Sequence, residues 1–221
     1  MTKKRAIIAA IVLVPLVLVL VVLMSPRLQF LSGGALVNLG YRMQDHIHAF
    51  DMVHDEDLGP DDIWEEVQNQ NELAASVRDT FPRSTEHPVI ALLVCMDARI
   101  DTSELVGDTR RYYYIVRTAG SALAEPEQEM LELAVANGVQ VLVLTTHTDC
   151  AAEAAAANPE SRERFPAVAE LVDQREQRIQ EFMARPLIHD RLESGQLRIV
   201  RARIDTNTDR LMVEEPGHHH S

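Results

Sequence analysis

The chain contains only two cysteines, and both lie in short motifs of metal-binding and charged residues, Cys95-Met96-Asp97-Ala98-Arg99 and His147-Thr148-Asp149-Cys150. Zinc takes thiolate sulfur and imidazole nitrogen in tetrahedral geometry, and three protein ligands leave a fourth position for water, as in catalytic rather than closed structural sites. The expectation is therefore one Zn2+ per chain, held by Cys95, His147 and Cys150. Two other readings of the thiols stand beside it: buried apolar cysteines, or a disulfide if the domain is exported. Neither accounts for His147 at its spacing. Asp97 and Arg99 would, in isolation, read as a surface ion pair; beside Cys95 they become candidates for chemistry at the metal. Asp149 reads as a turn or helix-capping residue with no catalytic role.

Residues this far apart in sequence meet only if the fold brings them together. The run Val89-Ile90-Ala91-Leu92-Leu93-Val94 is continuously aliphatic, as a strand buried on both faces must be, and Tyr112 to Val116 and Val139 to Leu144 are two more such runs. Cys95 ends the first run, whereas His147 and Cys150 follow the third. In open parallel sheets ligands bind beyond the carboxyl ends of the strands, so adjacent strand ends would gather all three side chains. Pro126 opens a helical stretch from Glu127 to Asn137 that Gly138 closes. Ala151 to Ala157 reads as a short helix, and Pro166 starts a longer one through about Met183. Leu197 to Ile204, a turn over Asp205 to Thr208 and Leu211 to Val213 read as a hairpin at a sheet edge. The fold class expected is α/β: a mostly parallel sheet flanked by helices, with an antiparallel edge strand.

The two motifs, in this order, resemble those of the β-class carbonic anhydrases, and the resemblance extends over roughly Trp64 to Glu214. Cys95-Met96-Asp97-Ala98-Arg99 matches the first family motif and His147-Thr148-Asp149-Cys150 the second. Arg117-Thr118-Ala119-Gly120 resembles an Arg-Asn-Ala-Gly stretch, and Ile204-Asp205-Thr206-Asn207-Thr208 is similar to the terminal strand and turn. Thr118, Ser121, Thr146 and Ala151 depart from residues common in the family. The resemblance implies a zinc enzyme that interconverts carbon dioxide and bicarbonate through a metal-bound hydroxide, working as a homodimer or an assembly of dimers. It also implies catalytic roles for Asp97, as acceptor of a hydrogen bond from that hydroxide, and for Arg99, as holder of the carboxylate; in some members the carboxylate swings onto the metal instead. Two alternatives stay open: a related zinc hydrolase of carbonyl sulfide or carbon disulfide, and a catalytically inactive zinc-binding relative that acts as a structural module.

With 221 residues, 46% of them hydrophobic, the chain can bury one α/β core and carry a short appendage. A formal net charge of −13 argues against nucleic acid as a partner and favours a small molecule. Lys3, Lys4 and Arg5 precede an apolar run from Ala6 to Met24, close to the roughly 20 residues that span a bilayer. The run is read as a transmembrane anchor over residues 1–27, with a cleaved signal peptide as the rival. The basic residues ahead of it put the N-terminus in the cytoplasm and the catalytic domain outside, as a single-pass membrane protein. Residues 28–62 are read as a linker with a short helix and residues 63–215 as the zinc domain, its first helix running from Ile63 to Phe81. Residues 216–221, with His218, His219 and His220, are read as a disordered tail. His46, His48 and His54 lie among acidic residues and are read as part of a solvated linker.

Overall fold

The computed structural model describes residues 11, 13–15, 17, 19, 21–45, 59–81 and 87–214. The chain divides into two compact units, Met1–Pro82 and Arg83–Ser221. The first contains helix α1 (Pro26–Asp45) and helix α2 (Pro60–Thr80). Pro60 stands where a helix's first amide needs no partner, and the Asp62 carboxylate accepts the Gly59 amide at 2.8 Å, which closes the N-terminal turn.

The anchor is not supported. Among the described residues, no helix is long and apolar enough to cross a membrane. Residues 21–24 are helical, Ser25 interrupts them, and the helix that resumes at Pro26 carries Arg27, Gln29, Asn38, Arg42 and Asp45. Such polar residues would be costly in hydrocarbon. Residues 6–10, 12, 16, 18 and 20 of the apolar run lie outside the described residues. The expected single-pass topology, the membrane as a partner and the extracytoplasmic catalytic domain fall with the anchor. Within the stretch read as linker and short helix, α1 runs unbroken through Gly33 and Gly34. The histidines at 46, 48, 54 and 218–220 fall outside the described residues.

The second unit is built on one five-stranded sheet with strand order β2-β1-β3-β4-β5. Its strands are β1 (Ile90–Cys95), β2 (Tyr113–Thr118), β3 (Val141–His147), β4 (Arg198–Asp205) and β5 (Arg210–Val213). The first four run parallel, and β5 returns antiparallel along the edge. The hydrophobic runs take this role because both faces of the sheet are covered. Ala91, Leu93, Leu142 and Leu144 pack on one face with Leu131, Phe182 and Ile188. Leu92 and Val94 pack on the other with Ile100 and Ile204. Fully burying each such side chain stabilises the fold by about 1.5–3 kcal/mol, which is why polar residues are excluded from these runs.

Among the described residues, seven helices complete the unit: α3 (Thr102–Val106), α4 (Glu125–Ala136), α5 (Ala151–Ala157), α6 (Pro159–Arg164), α7 (Pro166–Asp173), α8 (Arg175–Met183) and α9 (Pro186–Glu193). The single long helix expected from Pro166 to Met183 is in fact two, α7 and α8, parted at Gln174. Arg185 ties α4 to the start of α9, with its Nε on Glu132 at 2.5 Å and an Nη on Glu125 at 2.8 Å.

Between β2 and α4 the chain makes a short 3-10 turn, Ala119–Ser121, in which Gly120 has φ +59°. A Cβ placed there would lie 3.2 Å from each of Ala152 Cβ, Val172 Cγ2 and an Arg175 Nη. Gly120→Ala is therefore expected to cost about 1–3 kcal/mol, from left-handed backbone strain and overpacking together. The check is a denaturant midpoint; an unchanged value would show that the turn and α5 can part freely.

Candidate metal centre

Three local features of the sequence converge at one end of the sheet. Cys95 is the last residue of β1 and His147 the last of β3, and these strands are parallel neighbours. Cys150 arrives by a tight turn after β3 and caps the N-terminus of α5. Asp149 makes this turn possible by taking φ +54°, a left-handed conformation that Asp tolerates better than most residues. Thr148 fastens the turn to β4: its amide donates to the Ile204 carbonyl at 3.0 Å, and its hydroxyl accepts the Thr206 amide at 3.0 Å.

Cys95, His147 and Cys150 are all buried, and their ligand atoms lie within 4.8 Å of one another. It is the one such cluster among the described residues. The two thiols are free, so the disulfide reading does not hold. Burial pushes the Cys150 thiol above its ordinary value, and the neighbouring Cys95 adds to the rise, while amide hydrogen bonds from Glu153 and Ala152 oppose it.

Zinc fits these residues. Metal–ligand bonds of about 2.3 Å to sulfur and about 2.0–2.1 Å to nitrogen need ligand atoms roughly 3.5–3.8 Å apart, so an ion has only to draw the trio slightly inward. His147 Nε2 is buried with no hydrogen-bond partner, a costly state for a polar atom unless something binds it. On the other side of the ring Nδ1 lies 2.9 Å from the Thr148 carbonyl. A carbonyl can only accept, so Nδ1 carries the proton and Nε2 offers its lone pair to the centre, the orientation a metal-ligating histidine needs.

Asp97 and Arg99 lie on the loop leaving β1. The guanidinium grips the carboxylate along its Nε edge, with Nε to Oδ1 at 3.0 Å and an Nη to Oδ2 at 2.8 Å, and the Arg99 amide donates to Oδ1 at 3.0 Å. These bonds hold the Asp97 carboxyl well below the usual carboxylate range, against a smaller opposing effect of burial. The same guanidinium reaches the Asp149 carbonyl at 3.0 Å, which joins the two motifs directly. Sequence reasoning gave Asp149 no catalytic role; its backbone here positions Arg99. It also passed over Thr148, although a threonine hydroxyl beside a candidate ligand is a usual source of backbone fastening.

A carbonic anhydrase family profile matches residues 90–215. The solved carbonic anhydrase of Streptococcus mutans is similar at 21% identity with a TM-score of 0.52, covering 67% of this chain and 97% of its own. A tetrameric β-carbonic anhydrase of Sordaria macrospora is similar at 16% identity and a TM-score of 0.54, covering 71% of this chain and 98% of its own. A β-carbonic anhydrase of Trichomonas vaginalis is similar at 19% identity and a TM-score of 0.51, covering 73% of this chain and 100% of its own. No curated protein sequence matches the chain. At these identities the structures establish the architecture, and the profile spans more than half of the sequence, both motifs included. The chain belongs to the carbonic anhydrase family and has the fold of its β class.

Proposed function

We propose that this protein catalyses the reversible hydration of carbon dioxide to bicarbonate and a proton, using one Zn2+ per chain. The observation that carries this is the buried trio of Cys95, His147 and Cys150, in which His147 Nε2 is buried without a hydrogen-bond partner. Zinc bound there supplies Lewis acidity, lowering the pKa of a water from about 15.7 to near 7 so that a nucleophile is present at neutral pH.

The roles of the surrounding residues follow from their chemistry. Cys95 and Cys150 provide two negative charges and His147 a neutral nitrogen, a donor set that selects zinc over harder cations. Asp97, kept ionised by Arg99, is an acceptor only, and orients the proton-bearing side of the attacking water away from the carbon it must reach. Arg99 stops that carboxylate from turning elsewhere, and the same Nη that meets Asp97 Oδ2 also donates to the Asp149 carbonyl, which fixes the guanidinium. Carbon dioxide needs no further activation, so a small site suffices. Of the partners expected, the small-molecule substrate is retained, and self-assembly into a homodimer or an assembly of dimers is part of the proposal.

The test is substrate choice. Zinc-loaded protein is expected to hydrate carbon dioxide and to turn over carbonyl sulfide far more slowly. Carbonyl sulfide hydrolysis without carbon dioxide hydration would replace this reading with that of the sulfur hydrolase.

A further inference from the structure

The way Cys150 is held points to a residue that no motif contains. Cys150 is the N-cap residue of α5, so its backbone enters the helix through the first turn, which carries Ala152 and Glu153. The aim of the sulfur therefore depends on where this turn sits. The Glu153 side chain leaves the turn and is gripped by Arg175, an Nη to Oε1 at 2.7 Å. Arg175 is the first residue of α8, directly after the break that parts α7 from α8. The side chain of Arg175 is 17% exposed, and its Nε and other Nη are buried without hydrogen-bond partners. A guanidinium so placed is held by the Glu153 bond and by packing alone. Its packing partner is Gly120, whose missing Cβ leaves room both for an Arg175 Nη and for Ala152 of the same turn.

Resting on the reading that Cys150 binds zinc, we propose that Arg175, acting through Glu153, is a positioning residue for the metal centre: it locks the first turn of α5 and so fixes Cys150. A merely structural ion pair would contribute to stability and leave the metal affinity alone. A positioning pair must change the affinity for zinc, because a ligand that is free to wander has to be ordered when the ion binds.

The experiment measures the zinc dissociation constant of the full chain by competition with a chromophoric chelator, together with the visible spectrum of the Co2+-substituted protein and the unfolding midpoint of each metal-free form. The variants are Arg175→Met, Glu153→Gln, their double mutant and Arg175→Lys. Each single mutant is expected to bind zinc about 10–100-fold more weakly, the usual scale for residues supporting a metal ligand, with a changed Co2+ spectrum. The double mutant should be no worse than the singles in affinity, since all three break one link. It should regain stability over Glu153→Gln, because the mostly buried Arg175 charge is no longer left without its partner. Arg175→Lys should recover part of the affinity. Wild-type affinity and spectrum in Glu153→Gln, or affinity losses no greater than the loss of metal-free stability in every variant, would overturn the inference. A wild type that takes up no zinc would overturn both the inference and the metal reading beneath it, so the two failures are told apart by the control.

Discussion

Cys150→Ser protein is expected to purify with most of its zinc gone and with no measurable carbon dioxide hydration. Serine is nearly the same size as cysteine, and position 150 is 4% exposed, so the fold should tolerate the exchange. The chemistry does not. A serine hydroxyl is a hard, weakly acidic ligand, whereas the thiol gives up its proton on binding and supplies a soft, charged donor. The remaining pair, Cys95 and His147, cannot close a tetrahedral site. Elemental analysis of the purified variant, with the metal-free unfolding midpoint as a control for folding, is the check. Full zinc content in Cys150→Ser would remove Cys150 from the donor set.

Asp97→Asn separates catalysis from metal binding. The amide keeps the size of the carboxylate and can still meet Arg99 through its oxygen, but it loses the charge and gains donors that point the wrong way for an acceptor's task. Zinc should stay bound, because Asp97 is not in the buried trio. Hydration should fall about 10²–10⁴-fold, the scale for losing a positioned proton-handling group. Arg99→Ala should slow the same step, with less than additive effect in the double mutant, since one bidentate bond carries both roles. The pH dependence has a definite sign. Arg99 holds the Asp97 carboxyl below the usual carboxylate range, so its charge is complete at ordinary carboxylate pKa values and is lost only at still lower pH. A fall in activity between about pH 8 and pH 6 is then the protonation of the nucleophilic water, not of Asp97. Equal rates for wild type and Asp97→Asn at verified zinc occupancy would take the carboxylate out of the mechanism.

The centre was legible in the sequence because its parts announce themselves locally. Uninterrupted aliphatic runs mark buried strands, and Cys95 and His147 fall at the carboxyl ends of two of them, where parallel sheets place their ligands. The hairpin at the edge and the alanine helix after Cys150 were equally local. Contacts between distant residues were not. Arg99 reaches the Asp149 carbonyl across 50 positions, and Arg175 meets Glu153 across 22, with no spacing rule to connect them. The break at Gln174 has no glycine or proline to signal it. Helices α3 and α6, by contrast, carry local start signals. Asp101 accepts the Ser103 amide at 2.7 Å, and Asn158, ahead of Pro159, accepts the Ser161 amide at 3.0 Å, both ordinary helix starts. The apolar run before Ser25 misled for the opposite reason, since composition suggests a span while the polar helix that follows shows none among the described residues.

The central claim is that catalysis belongs to one zinc held by this trio, and titrating zinc back into metal-stripped protein tests it most directly. Carbon dioxide hydration, followed by stopped flow on the same samples whose metal content is measured, is expected to start from the uncatalysed rate, rise in proportion to occupancy and level off at one zinc per chain. Hydration that is independent of zinc, or absent at full occupancy, would contradict it.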